Sequence, residues 1–173
     1  RREIGIRTAF NIIGPLTNPA GARAQVLGVA DELLVQKLAS VLKGLGCKHA
    51  LVVHGEDGLD EITITGKTKV SELKDGSITS YSINPDDFGL SRANLDSLKG
   101  GTTLENAVLL RSILAGAPGS RQDVVLANAG AVLLAGDKVK TLKEGVALAK
   151  EAIDSGRALA KLEQLIKFSQ SFT

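Results

Sequence analysis

A single cysteine, no tryptophan, no methionine and an aromatic content of 3% set the first limits on this 173-residue chain. One cysteine, Cys47, cannot form an internal disulfide, which fits a reduced, cytoplasmic setting. Lying between an expected helix end and an expected strand, Cys47 is read as a packing residue and not as a reactive thiol. One cysteine and two histidines are too few for a zinc cage. So few aromatics require a core built from Leu, Val, Ile and Ala. No apolar run approaches the roughly 20 residues that span a bilayer, and the opening Arg1-Arg2-Glu3 does not read as a secretion signal. A net charge of +2 offers no broad basic surface, so neither nucleic acid nor a membrane is expected as the main partner. No Ser/His/Asp set and no Walker-type loop is present, which leaves hydrolytic chemistry without support. The missing initiator methionine points to a fragment or a processed piece.

What is present reads as one α/β domain. Gln25 to Val29 is a short strand candidate. Asp31 is placed to cap a helix whose apolar positions Leu34, Leu38, Val41, Leu42 and Leu45 follow the 3.6-residue period. Ala50 to Val53 is a second buried strand, and strand–helix–strand order predicts parallel pairing. From Glu61 to Ser82, Ile62 and Ile64 alternate with threonines and Asp75-Gly76 favours a hairpin turn, so a strand-rich insert is expected at the sheet edge. The last third is helical, with capping boxes at Thr102/Glu105 and Thr141/Glu144. Its second helix, about Arg121 to Ala135, is apolar on most faces and is expected against the sheet.

Three features could carry chemistry. Asp60-Glu61 closes the acidic loop His54-Gly55-Glu56-Asp57-Gly58-Leu59, which follows a buried strand. Carboxylates there could hold a hard cation whose other ligands are water and substrate phosphate; the alternative is a solvated acidic turn. Arg1, Arg2 and Arg7 could grip a carboxylate or phosphate through the planar guanidinium fork, or simply mark a charged terminus. Gly14-Pro15 lies in a stiff loop that is either a structural turn or the wall of a substrate channel. His49 is read as a surface residue. His54 stands at an active-site-like position without metal-ligand spacing around it.

Taken together these segments resemble the anthranilate phosphoribosyltransferase family. The match runs through Arg1-Arg2-Glu3-Ile4-Gly5-Ile6-Arg7-Thr8, Phe10-Asn11-Ile12-Ile13-Gly14-Pro15-Leu16-Thr17-Asn18-Pro19 and Val52-Val53-His54-Gly55-Glu56-Asp57-Gly58-Leu59-Asp60-Glu61. It continues through Asp87-Phe88-Gly89-Leu90, Gly100-Gly101, Leu126-Ala127-Asn128-Ala129 and Ala152-Ile153-Asp154-Ser155-Gly156. The resemblance implies a nucleoside phosphorylase/phosphoribosyltransferase-like α/β fold: a mostly parallel sheet flanked by helices, with the edge insert and the helical carboxyl-terminal third. It implies transfer of the phosphoribosyl group of phosphoribosyl pyrophosphate to the amine of anthranilate in tryptophan biosynthesis, with release of pyrophosphate. Arg1 would hold the anthranilate carboxylate, Gly14 and Pro15 would line its channel, and Asp60 and Glu61 would help to hold Mg²⁺.

In that family the pyrophosphate-cradling glycine loop and the amino-terminal helical domain lie upstream of Arg1. Residues 1–173 are therefore expected to be one α/β portion, inactive alone and completed by an amino-terminal portion, with the complete enzyme a homodimer. A nucleoside phosphorylase-like relative fits the Gly14-Pro15 signature less well. The non-enzymatic alternative is a structural or nucleic-acid-binding paralogue.

Overall fold

The structure, a computed structural model, describes residues 14–172. Four strands, β1 (Ala24–Gly28), β2 (His49–Gly55), β3 (Thr68–Lys74) and β4 (Ser77–Ile83), form one sheet in the order β1-β2-β3-β4. Helix α1 (Leu34–Gly44) joins β1 to β2, and α2 (Thr103–Leu114), α3 (Ser120–Ala135), α4 (Leu142–Asp154) and α5 (Arg157–Gln170) make up the last third. The α/β class, the edge insert and the helical third are as expected. The sheet itself is mixed, not mostly parallel, among the described residues: β1–β2 is parallel, and β2–β3 and β3–β4 are antiparallel. The physical reason is the insert. Asp75 and Gly76 both adopt positive φ (47° and 79°), the backbone of a tight hairpin turn, so β4 runs back along β3.

Strand β2 is buried on both faces, which is why its sequence is a continuous apolar run and not an alternation. Ala50 and Val52 pack with Leu27, Val35, Leu38, Ala39 and Leu42 under α1. Leu51 and Val53 point the other way, into a larger cluster with Leu126, Ala127, Ala131 and Leu134 of α3 and Val146, Ala149 and Ile153 of α4. Each fully buried Leu or Val contributes about 1.5–3 kcal/mol relative to exposure, so the two faces together clamp the sheet between helical layers. Helices α3 and α4 cross at Gly130 and Gly145; a Cβ added at Gly145 would lie 2.4 Å from the Gly130 carbonyl oxygen.

Local signals hold where the sequence carries its own hydrogen-bond partner. Both capping boxes form as expected, Thr102 with Glu105 and Thr141 with Glu144. Asp31 does not cap α1 directly: its carboxylate accepts from Leu33 N–H at 2.9 Å, one turn before the helix. The segment Ile62 to Ile64, expected as strand, is buried but forms no ladder. His49 is a correction as well. It is 2% exposed, with its ring nitrogens 2.9 Å from Glu72 and 3.0 Å from Asp137. Among the described residues no helix is long and apolar enough to cross a membrane.

Candidate functional site

Parallel strands β1 and β2 end side by side, and the chain leaving each meets the other there. Val29 N–H donates to Val53 O at 3.0 Å, and His54 Nδ1 donates to Val29 O at 2.8 Å. The loop after β2 closes on itself: Gly55 N–H donates to Leu59 O at 2.9 Å and Gly58, at φ 88°, turns the chain. Beyond it, the Asp60 backbone lies directly on β1. A Cβ added at Gly28 would stand 1.5 Å from Asp60 O, so only glycine admits this approach.

The loop's four acids divide in two. Glu56 Oε2 accepts from Lys67 N–H at 3.0 Å, and Asp57 accepts from Leu59 N–H at 3.1 Å and from the hydroxyls of Thr63 and Thr65 at 2.5 and 2.6 Å. Partial burial pushes the Asp57 carboxyl up, but the bonds from Thr63, Thr65 and Leu59 outweigh it and hold the carboxyl below the usual aspartate range. Asp60 and Glu61, in contrast, are exposed, and among the described residues no donor engages either carboxylate. Partial burial, then the negative charges of Asp60 and Asp57, push the Glu61 carboxyl above its usual value. Mutual repulsion between unneutralised acids is what a bound cation relieves. No group of three His, Cys, Asp or Glu side chains capable of holding a metal occurs among the described residues, so a cation here would draw its other ligands from water and substrate.

Sequence reasoning missed the residues that set this geometry. Asn128 of α3 accepts from Ile62 N–H at 2.9 Å and donates to Ile62 O at 2.9 Å and Val124 O at 3.0 Å. A signal for it existed: it is the one polar residue between Asp123 and Asp137, and an amide inside an apolar helix requires partners. In the sequence Asp57 is one acid among four, and its anchoring role depends on the Thr63 and Thr65 hydroxyls that the fold brings to it.

The other expected site residues are not gathered here. Arg1, with Arg2 and Arg7, lies outside the described residues. Gly14, Pro15 and Leu16 are helical, and Pro15 lines a cleft of about 550 Å³ with Arg23, Leu42, Leu45, Gly46 and Cys47. That cleft opens at the amino end of β1, whereas Asp60 packs on Gly28 at its carboxyl end. Cys47 behaves as packing: its thiol donates to Arg23 O at 3.2 Å, and burial pushes its pKa up.

A profile described as the glycosyl transferase family, a/b domain, matches residues 1–159. The chain belongs to this family. It is similar to the anthranilate phosphoribosyltransferase of Symbiobacterium thermophilum, 56% identical over 169 residues, which make up 98% of this chain and 50% of that protein. The Moorella thermoacetica protein of the same name is 52% identical over 172 residues, 99% of this chain and 51% of that protein. Among solved structures, the anthranilate phosphoribosyltransferase of Thermus thermophilus superposes with a TM-score of 0.88 at 46% identity, over 97% of this chain and 50% of that one. The Saccharomyces cerevisiae enzyme in complex with PRPP and Mg gives 0.87 at 30% identity, over 99% of this chain and 50% of that one. The chain thus spans about half the length of these relatives.

Proposed function

We propose that the chain is the α/β half of an anthranilate phosphoribosyltransferase that acts in tryptophan biosynthesis. The observation that carries this reading is the Asp60–Glu61 pair, uncommitted to any protein donor among the described residues and held at the carboxyl ends of parallel strands. The identity of the substrates is supported by the relatives' names and by the yeast complex with PRPP and Mg.

In the proposed reaction a bond forms between the anthranilate nitrogen and the anomeric carbon as the bond from that carbon to pyrophosphate breaks. The amine gives up a proton and pyrophosphate leaves. Such a step gains most from positioning and from stabilising the charge that gathers on the leaving group. Asp60 and Glu61 fit Mg²⁺: both are hard oxygen donors, adjacent, exposed and repelling each other. A magnesium ion held there would offset charge on the pyrophosphate. The chain's own part is to hold the two carboxylates in place, through Gly28 beneath Asp60, Asn128 behind Glu61 and the Asp57 anchor upstream.

Arg1 completes the reading as the fork for the anthranilate carboxylate, with Gly14 and Pro15 lining the channel by which it enters. Support for these three comes from the resemblance, since Pro15 and the acidic pair sit at opposite ends of β1. The same reading brings a cytoplasmic setting, a homodimer for the whole protein, and an amino-terminal half that supplies the pyrophosphate cradle; the chain alone is inactive.

The test uses the chain joined to its amino-terminal half. Asp60→Asn and Glu61→Gln should each raise the Mg²⁺ concentration needed for half-maximal transfer. Arg1→Ala should raise the KM for anthranilate more than that for phosphoribosyl pyrophosphate. Unchanged Mg²⁺ dependence in both acid variants would remove the metal assignment, and an unchanged anthranilate KM would remove that of Arg1.

A further inference from the structure

We propose that Asn128 is the positioning residue of the acidic pair: its amide, delivered from α3, fixes the Glu61–Ile62 peptide and so sets where Glu61 points. The inference rests on the reading of Asp60 and Glu61 as magnesium ligands and adds a residue to it that touches neither metal nor substrate.

The geometry is specific. Ile62 is 2% exposed and lies in a segment with no strand partner, so its backbone groups need side-chain bonds to be buried at all. Asn128 supplies both, accepting from Ile62 N–H and donating to Ile62 O, each at 2.9 Å. Its Nδ2 also donates to Val124 O at 3.0 Å, one turn back in the same helix. That last bond is what a mid-helix asparagine makes on its own account; the other two are not. With both amide hydrogens and the oxygen engaged, the side chain has one orientation and cannot flip.

The peptide so fixed is the one that leaves Glu61. On the other side, the Asp60 carbonyl rests on Gly28. The two carboxylates therefore sit between two fixed points on different elements, β1 and α3, and neither has a partner of its own to hold it among the described residues. Groups that orient ligands in this way commonly alter metal affinity about 10–100-fold when removed, because a ligand loosened by half an ångström or so loses its preorganisation.

The experiment uses the intact protein with its amino-terminal half, and Mn²⁺ as the probe. Mn²⁺ is titrated in the presence of pyrophosphate and its free concentration is read by electron paramagnetic resonance. Asn128→Ala and Asn128→Asp should each weaken Mn²⁺ binding about tenfold. They should raise the Mg²⁺ requirement for transfer in parallel, with kcat recovered at saturating Mg²⁺ and the KM for anthranilate unchanged. Asn128→Asp keeps the acceptor for Ile62 N–H but loses the donors to Ile62 O and Val124 O. Asn128→Ser serves if the larger changes prevent folding. Val146→Ala, in the α3–α4 core, should lower the melting temperature without changing Mn²⁺ affinity.

If Asn128 variants melt early but bind Mn²⁺ like the parent, while Asp60→Asn weakens binding, the asparagine is only structural and the proposal falls alone. If Asp60→Asn and Glu61→Gln both leave Mn²⁺ binding unchanged, the metal reading falls and takes the proposal with it.

Discussion

Glu56 and Asp57 on one side, and Asp60 and Glu61 on the other, share one loop and one charge, yet the fold uses them in opposite ways. The carboxylates of the first pair are bonded to backbone N–H groups and threonine hydroxyls. Those of the second accept from no donor among the described residues. Their proton affinities differ too: bonds from Thr63, Thr65 and Leu59 hold Asp57 below the usual range, whereas partial burial and then the charges of Asp60 and Asp57 push Glu61 above it. One pair builds the loop. The other is what the loop presents.

The contrast is broken most severely at Gly28. Gly28→Ala would drive a methyl group into the Asp60 carbonyl, and we expect a loss of about 3 kcal/mol together with the Mg²⁺ response, measured by denaturant unfolding and metal titration. Next comes the presenting pair. The double change Asp60→Asn with Glu61→Gln should raise the Mg²⁺ requirement by at least about 100-fold, because loss of a group that merely orients a ligand already costs about 10–100-fold. It should leave stability level or slightly higher, because it removes like-charge repulsion. A fall in stability would mean that these acids also build the loop.

The anchoring pair should respond the other way. Asp57→Ala leaves two threonine hydroxyls and one N–H without their acceptor and should cost about 2 kcal/mol, read as a shift in the denaturation midpoint. The sign with pH follows from the lowered carboxyl. The stabilisation is present above the unfolded aspartate value and disappears as pH falls through the folded value. Asp57→Ala should flatten that acid limb, and an unchanged limb would assign it to other groups.

The smallest effect is at Tyr81, whose hydroxyl donates to Glu72 at 2.8 Å, away from both pairs. Burial, then the Glu72 hydrogen bond and charge, push its pKa upward. Tyr81→Phe should cost about 1 kcal/mol. A difference absorbance titration against Tyr81→Phe should show this phenol still protonated well past the usual value of about 10. Because the folded value is the higher one, this contribution is complete below the unfolded value and is lost as pH rises toward the folded one.

Much of the fold was legible because its signals are local. The capping boxes, the hairpin at Asp75-Gly76 and the α1 stripe each need only residues close in sequence. The Ile62–Ile64 segment misled for the same reason: its alternation is that of a strand, yet its backbone is bonded by Asn128, 66 positions away, and by the Thr68 hydroxyl. His49 misled because its partners, Glu72 and Asp137, come from a neighbouring strand and from the turn after α3. In the site, Asp60 and Glu61 could be picked out through the acidic loop and the family resemblance. Nothing in their spacing says that they, and not Glu56 and Asp57, are the uncommitted pair.

By itself the sequence determined the α/β class, the two helix starts that carry capping boxes, the tight turn and the acidic loop, because propensity, capping and hydrophobic period act over a few residues. Only the tertiary structure decided which acids are bonded within the loop and which are left without a donor among the described residues. That choice depends on hydrogen bonds and a backbone contact that reach the loop from β1 and α3. Such contacts exist only once the chain has folded.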